Sequence, residues 1–293
     1  MTRIEQFGWR GVVEPGIGRV VSAHGDYYHL VCNEQPTGEI LARKKKSAFM
    51  RMKTVAPVNM KGKKVSEERA ELPPQPITGD FVRFRYNAQG ESMITEVLPR
   101  FSHFERKDPT AKRTSQTLAV NFDTLFIMMS LNENFSTARI RRYLDLSKDM
   151  GEAEVVVVVT KVDLRQDGDE EFFDELRGEV GDAVRILEIS SLTGEGMELV
   201  NEYVKPGKTL AFIGSSGVGK STLLNTLMGE EWQATQEIQE WSGKGRHTTT
   251  SRELVMLPSG AMVIDTPGIR EIGMIGEMDD LQAKGESTHR YRK

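Results

Sequence analysis

Five runs dominated by apolar residues mark the C-terminal half of the chain. The runs are residues 124–131, 154–160, 184–190, 209–214 and 261–266. Strands that are apolar along most of their length, without alternation, are typical of a parallel sheet covered on both faces. Four segments with helical spacing, some opened by Ser, Thr or Asp, lie between the runs at residues 136–150, 170–180, 196–203 and 220–229. This alternation predicts a mostly parallel, doubly wound α/β sheet.

The N-terminal part has a different pattern, with short stretches in which β-branched and aromatic residues loosely alternate with polar ones. Residues 17–46 predict two or three strands, and residues 80–100 predict further strands around a turn. Between them, residues 43–64 hold nine basic residues and no acidic one, which favours a loop. Short strands around one long loop predict an all-β, OB-fold-like barrel that binds RNA. A structural barrel with a solvated basic loop is the alternative.

Three aromatic residues of this region, Tyr27, Tyr28 and Phe84, are candidates for stacking on RNA bases. Each of them is equally suited to the core of the barrel. The sequence alone leaves these two interpretations open.

Charge separates the two halves further. Residues 1–120 carry 20 basic and 13 acidic side chains, a net charge of +7, whereas residues 121–293 carry 19 and 30, a net charge of −11. The halves therefore face different partners. Cys32 is the only cysteine, which excludes a disulfide within the chain and predicts a reducing, cytoplasmic location. The chain shows no signal peptide or membrane span, and we expect a monomer without a membrane partner.

Residues 214–221 match the pattern G-x-x-x-x-G-K-S, directly after an apolar run and directly before a helical segment. In this context the glycines allow backbone N–H groups to cradle phosphate, and the start of the helix adds its positive end. Lys220 would reach the β and γ phosphates, and Ser221 would donate an oxygen to Mg²⁺. The predicted phosphate site is Gly214, Ser215, Ser216, Gly217, Val218, Gly219, Lys220, Ser221 and Thr222. A glycine-rich turn without a ligand is the alternative.

Two later segments fit a magnesium-dependent phosphate site. Asp265 opens the sequence Asp-Thr-Pro-Gly at the end of an apolar run, where P-loop proteins hold Mg²⁺ through water, and the backbone N–H of Gly268 would contact the γ phosphate. Residues 245–250 (Gly-Arg-His-Thr-Thr-Thr) have the position of a switch loop, in which a threonine hydroxyl ligates Mg²⁺. We assign Thr249 to this role, although the sequence does not decide among the three threonines. A merely solvated loop is the alternative.

Two strand ends upstream predict which base is bound. The first carries Thr160, Lys161, Val162 and Asp163, and the second carries Ser190, Ser191 and Leu192. The first resembles the N-K-x-D motif of GTPases, with Thr160 where Asn is usual. Asp163 would accept hydrogen bonds from guanine N1–H and the exocyclic amine, a donor pair that adenine lacks, while Lys161 would lie across the base. The second resembles the companion loop around guanine O6; a polar strand end without a ligand is the alternative for either motif alone.

The order of the motifs is unusual, because the base motifs precede the phosphate motif. In ordinary GTPases the order is the reverse, so we predict a circularly permuted α/β P-loop GTPase domain behind the barrel. Joining the old termini would leave the site intact, since chain termini commonly lie close together. The expected division is residues 1–100 for the N-terminal extension and barrel, 101–120 for a linker, 121–275 for the GTPase domain and 276–293 for a short tail.

These motifs, in this order, resemble the ribosome small-subunit-dependent GTPase A family (RsgA). The likeness runs from about Gly18 to Gly273 and includes LPRFSHFERKD, NFDTLFIMMSLN, TKVDL, SSLTG, GSSGVGKSTLLN, GRHTTT and DTPGIRE. The resemblance implies binding of GTP or GDP with Mg²⁺ and GTP hydrolysis that is slow alone and stimulated by the small (30S) ribosomal subunit. It also implies contact of the barrel with 16S rRNA and a role in late maturation of the subunit.

The family normally continues into a C-terminal helical module with a zinc site of three cysteines and one histidine. No cysteine follows Cys32 here, so we expect no zinc in this chain. Either the chain is truncated, or the sequence omits residues of the protein, or this member has lost the metal.

The group that activates water is the least defined part of the predicted mechanism. Ras-like proteins orient the attacking water with a Gln, whereas this chain has Ile269 at that position. We hypothesise that His247 takes the role once the ribosome orders its loop, with Lys220 and Thr249 as the other catalytic residues. A His that only stabilises the loop is the alternative.

Two other functional classes remain open. A P-loop ATPase or nucleotide kinase would leave both base motifs unexplained. A pure RNA-binding module with an inactive nucleotide site is disfavoured, because Lys220, Ser221 and Asp265 are all present.

Overall fold

The computed structural model describes residues 1–49, 74–107, 115–131, 136–229 and 253–265. The strands are β1 (Ile17–His24), β2 (Tyr27–Cys32), β3 (Ile40–Lys44), β4 (Phe81–Arg85), β5 (Ser92–Val97), β6 (His103–Lys107), β7 (Ser115–Val120), β8 (Thr124–Ser130), β9 (Glu154–Thr160), β10 (Arg185–Ile189), β11 (Thr209–Ile213), β12 (Glu253–Met256) and β13 (Met262–Asp265). The helices are α1 (Arg3–Gln6), α2 (Lys46–Phe49), α3 (Thr137–Ser147), α4 (Glu170–Val180), α5 (Met197–Val200) and α6 (Lys220–Met228).

The N-terminal strands close into a five-stranded barrel, as the alternating pattern predicts. The strands pair in the order β1–β2–β3–β5–β4, and β4 pairs back to β1. Tyr28 and Phe84 are buried in the barrel core, whereas Tyr27 remains partly exposed. Of the three aromatic candidates, only Tyr27 has substantial exposed area, and the guanidinium of Arg43 lies over its ring at 4.2 Å from the centroid. The greater part of the basic segment 43–64 lies outside the described residues.

The predicted parallel sheet is present, with the order β10–β9–β8–β11–β13. Its strands are buried on both faces, which explains their nearly continuous apolar character. Segment 196–203 was expected to be helical, but only Met197–Val200 forms a helix. An antiparallel strand, β12, extends the sheet beyond β13 and was not predicted, because its apolar run of three residues is too short to indicate a strand. In the described ranges no helix has the length and hydropathy that a membrane crossing requires.

Residues 101–120 contain two paired strands, so the expectation of a mere linker is wrong at the level of secondary structure. β6 and β7 form an antiparallel pair, with Glu105 opposite Thr117. Phe104, Leu118 and Val120 are buried, and their burial orders a segment whose polar residues suggested none. The domain boundaries themselves stay predictions.

The barrel and the parallel sheet are continuous. Ser22 of β1 pairs with Glu253 of β12, so that eleven of the described strands form one sheet. The side chain of Arg19, also on β1, is fully buried close to this junction. Neither feature was predicted from the sequence.

One buried ion pair holds the end of the barrel together. Asp80 accepts hydrogen bonds from Nε and Nη2 of Arg100, both at 2.8 Å, and from the backbone N–H of Ile77 at 2.9 Å. The Asp80 side chain is fully buried. Burial raises the pKa of its carboxyl group, and the Arg100 guanidinium acts in the opposite direction. The ionised form of Asp80 therefore depends on Arg100.

We predict that Arg100→Met lowers the free energy of unfolding by about 3 kcal/mol, because it leaves a buried carboxylate without its charged partner. Urea denaturation monitored by circular dichroism measures this loss. Arg83→Met is the matched control: Arg83 pairs with Glu14 at the surface of the barrel, and we expect it to cost less than about 1 kcal/mol. Equal losses in the two variants would contradict the assigned role of Arg100.

Candidate nucleotide-binding site

The carboxyl ends of the parallel strands meet at one edge of the sheet. Thr160, the last residue of β9, lies in register with Ser130 at the end of β8 and with Ile189 at the end of β10. β11 is the other neighbour of β8, and β13 pairs with β11. Every predicted nucleotide motif within the described residues follows one of these strand ends. This edge is where open α/β sheets bind their ligands.

The phosphate motif has the predicted strand–turn–helix context. β11 ends at Ile213, the turn follows, and α6 begins at Lys220 with Gly219 in a left-handed conformation as its N-cap. At Gly214, a Cβ atom would lie 2.4 Å from the carbonyl oxygen of Met128, so only glycine fits there. Lys220 Nζ donates hydrogen bonds to the carbonyl oxygens of Gly214 and Ser215, at 2.7 and 2.6 Å. The ammonium group of Lys220 is thus held over the turn.

Thr160 joins the first base motif to the phosphate motif. Its side chain is buried, and its Oγ1 lies 2.6 Å from the carbonyl oxygen of Val218 and 3.1 Å from that of Met129. A hydroxyl group has a single proton to donate, and the shorter contact is the one to the phosphate turn. A Cβ atom on the adjacent Gly219 would lie 3.6 Å from the same hydroxyl oxygen. The two motifs are therefore in direct contact, although 58 residues separate Thr160 from Val218.

The backbone reverses directly after Thr160. Lys161 has φ 61° and ψ 37°, a left-handed conformation that is uncommon outside glycine. A 3₁₀ turn over Val162–Leu164 follows, in which Val162 is buried and Asp163 is exposed. The buried Val162 anchors the turn, so that the carboxylate of Asp163 is open to a ligand at the edge of the sheet.

The second base motif forms a compact loop after β10. Ser190 is buried, and its Oγ accepts hydrogen bonds from the backbone N–H groups of Leu192 and Thr193, at 3.3 and 3.2 Å. Thr226 of α6 approaches the carbonyl oxygen of Ser191 with its hydroxyl at 3.5 Å. The loop therefore lies beside the helix that follows the phosphate turn. The side chain of Leu192 is 83% exposed.

The donor set for a metal ion is only partly within the described residues. Ser221 lies in the first turn of α6, and the backbone of Asp265 ends β13. The side chain of Asp265 and the residues His247, Thr249 and Gly268 lie outside the description. In the parts of the chain that are described, no group of three or more His, Cys, Asp or Glu side chains is arranged to hold a metal ion. A serine hydroxyl beside a phosphate turn fits Mg²⁺, which proteins commonly bind through few side chains together with substrate phosphates.

Sequence reasoning missed one function of Thr160 and the whole environment of Arg19. Thr160 was assigned only to the base, whereas its hydroxyl is bonded to the phosphate turn. The available signal for Arg19 was a charged residue on the face of β1 that also carries the apolar residues Ile17 and Val21.

The strand order and the three motifs at one edge define a P-loop protein in which the two loops predicted to recognise the base precede the phosphate loop. A sequence model described as RsgA GTPase matches residues 97–275. The chain belongs to this family.

Curated relatives agree with this assignment. The small ribosomal subunit biogenesis GTPase RsgA of Leptospira interrogans is 42% identical over 209 residues, which cover 70% of this chain and 57% of that protein. RsgA 2 of Lactiplantibacillus plantarum is 38% identical over 267 residues, covering 90% of this chain and 68% of that protein. The chain thus spans little more than half the length of its Leptospira relative.

Two crystal structures have the same fold. YjeQ from Thermotoga maritima matches with a TM-score of 0.59 and 25% identity, covering 87% of this chain and 76% of YjeQ. YloQ, described as a circularly permuted GTPase, matches with a TM-score of 0.54 and 22% identity, covering 86% and 70% of the two chains. The predicted fold, a circularly permuted GTPase domain with an OB-like barrel, is confirmed.

We predict that Thr160→Val weakens the binding of guanine nucleotides about tenfold, because a buried carbonyl oxygen of the phosphate turn loses its donor at a cost of roughly 1–2 kcal/mol. Titration with a fluorescent GDP analogue measures the change. Thr95→Val is the control: the Thr95 hydroxyl also donates to a carbonyl oxygen, that of Arg83, but within the barrel. Unchanged affinity in Thr160→Val would show that the contact does not support the site.

Proposed function

We propose that this protein hydrolyses GTP to GDP and phosphate, that it binds the small ribosomal subunit in the cytoplasm, and that the subunit stimulates its turnover during late maturation. The observation that carries the nucleotide part is the hydrogen bond from the Thr160 hydroxyl to the Val218 carbonyl oxygen. It connects the loop proposed to select the base with the loop proposed to hold the phosphates.

The proposed contacts follow from the loops at the edge of the sheet. The backbone N–H groups of residues 214–219 cradle the phosphates, assisted by Lys220 and by the start of α6. Asp163 accepts hydrogen bonds from the guanine, and Lys161 covers the face of the base. The Thr160 hydroxyl holds the phosphate turn next to the base loop through its bond to Val218. The residues proposed to contact the nucleotide are Thr160, Lys161, Asp163, Ser190, Ser191, Leu192, Gly214, Ser215, Ser216, Gly217, Val218, Gly219, Lys220, Ser221, Thr222 and Gly268.

Hydrolysis needs charge stabilisation and a positioned water molecule. Lys220 neutralises charge that develops on the β and γ phosphate oxygens. Ser221, Thr249 and Asp265 are the proposed Mg²⁺ ligands, and the metal supplies further charge neutralisation when bound. His247 is proposed to orient the attacking water.

The ribosomal part rests on the names of the relatives. The Leptospira and Lactiplantibacillus proteins are named small ribosomal subunit biogenesis GTPases. The five-stranded barrel and the positive charge of residues 1–120 support contact with 16S rRNA, since basic barrels of the OB type commonly bind nucleic acid.

The described residues do not fit a zinc ion. Zinc sites in proteins are usually built from several cysteine or histidine ligands, and the single cysteine, Cys32, is fully buried among apolar side chains of the barrel. No step of the proposed function therefore involves zinc.

Base selection can be tested at Asp163. We predict that Asp163→Asn transfers the preference from GTP toward XTP, because an amide supplies a donor where xanthine has a carbonyl oxygen and loses the acceptor that guanine requires. Competition of GTP, XTP and ATP against a fluorescent GDP analogue measures the preference. Asp167→Asn, an exposed position on the same loop, should leave it unchanged. Equal affinity of Asp163→Asn and the unmodified protein for GTP would refute the assigned contact.

Catalysis can be tested by phosphate release under multiple turnover, with and without small subunits. We predict that subunits accelerate the release from GTP, and that His247→Ala lowers the stimulated rate roughly 100-fold, the lower end of what a side chain acting directly on the attacking water contributes, while GTP affinity is retained. Lys220→Ala should abolish nucleotide binding. Preferential turnover of ATP would favour an ATPase or kinase, and no turnover with either nucleotide would favour an RNA-binding module with an inactive site.

A further inference from the structure

The side chain of Arg19 is fully buried, and its guanidinium group is surrounded by hydrogen-bond acceptors. The acceptors are the carbonyl oxygens of Phe7 at 2.6 Å, Asn121 at 2.7 Å and Gly79 at 3.3 Å, the hydroxyl of Thr209 at 3.0 Å and the sulfur of Met262 at 3.5 Å. The guanidinium also lies over the ring of Phe81, at 4.8 Å from its centroid. Nε and Nη2 each donate to one carbonyl oxygen, whereas the two N–H groups of Nη1 face Phe7, Thr209 and Met262 together, so the long contact to sulfur is the weakest of the set.

These acceptors belong to both halves of the molecule. Arg19 itself lies on β1 of the barrel, and Gly79 lies two residues before the barrel strand β4. Thr209 begins β11, which leads into the phosphate turn, and Met262 begins β13, which ends at Asp265. One side chain therefore contacts the barrel and the amino ends of two strands that carry predicted nucleotide motifs.

Arg19 remains a cation at neutral pH. Burial lowers the pKa of its guanidinium to about 9, and the carboxylates of Asp123 and Asp80 act in the opposite direction. Asp123 also forms ion pairs close to the junction, with Arg10 at 2.6 Å and with Lys208 at 2.8 Å. The backbone pair Ser22–Glu253 completes the contact between the two halves.

We propose that Arg19 locks the barrel to the nucleotide-binding sheet, so that the two move as one body instead of hinging about residues 101–120. Any hinge at this junction would have to break several buried hydrogen bonds of one charged group together, and buried carbonyl oxygens without a donor are costly. Relative motion is the ordinary expectation for two domains in one chain. Arg19 is a positioning residue in this proposal, which does not depend on the reaction that the nucleotide site performs.

Distance measurement between two spin labels tests the proposal. The labels are attached to Gln89→Cys, on the exposed turn between β4 and β5, and Glu171→Cys, on the exposed face of α4. Cys32 can be retained, because it is buried and burial raises the pKa of its thiol to about 11; labelling of the protein without added cysteines checks that it does not react. We expect one narrow distance distribution, the same with GDP and with a non-hydrolysable GTP analogue.

Arg19→Met should roughly double the width of this distribution while GDP affinity is retained, because the junction reverts to ordinary interdomain mobility. Arg83→Met, at an exposed arginine of the same barrel, is the matched control and should change nothing. If Arg19→Met does not fold, Arg19→Lys and Thr209→Val serve instead, since each removes part of the set of contacts, and each should widen the distribution. A broad or nucleotide-dependent distribution in the unmodified protein, or an unaltered one in all folded Arg19 and Thr209 variants, would overturn the proposal.

Discussion

The hydroxyl group of Thr160 is the point on which the candidate site depends. Its bond to Val218 sets the separation between the loop that follows β9 and the turn that follows β11. Those two strands are not neighbours in the sheet, because β8 lies between them. Backbone hydrogen bonds between neighbouring strands therefore cannot connect the two loops. The short, buried side chain of Thr160 connects them instead.

The sheet order explains how a permuted chain retains a single site. β8 and β9 come early in the sequence and β11 and β13 late, yet β8 pairs with β9 on one side and with β11 on the other. In a parallel sheet, every carboxyl end lies at the same edge whatever the order of the strands along the chain. Permutation therefore moves the chain termini and leaves the edge unchanged. The permutation changes only which segments of the chain flank the nucleotide loops.

The sequence predicted what is encoded locally. Continuous apolar runs and the pattern around Gly214 identified strands, turn and helix, because burial on both faces and a phosphate cradle each impose a pattern within a few neighbouring residues. β12 was missed because it is short, and the β6–β7 pair because its strands are rich in polar residues; such strands carry little local pattern and are ordered by partners elsewhere in the chain. Arg19 illustrates the limit, since its acceptors Asn121, Thr209 and Met262 are 102, 190 and 243 residues away. No local pattern reports such contacts.

The junction between the barrel and the sheet also bears on the segment that contains His247 and Thr249. In the sequence, that segment follows α6, the helix after the phosphate turn. The next described strand begins at Glu253, the residue that pairs with Ser22 of the barrel. The predicted switch residues are therefore connected at one end to the nucleotide loop and at the other to a strand in contact with the barrel. If Arg19 holds the barrel rigidly, as proposed, a partner bound to the barrel would lie in a fixed position relative to that connection. The proposed stimulation by the small ribosomal subunit would require fixed geometry of this kind, because a freely hinged barrel would not transmit its orientation to the loop.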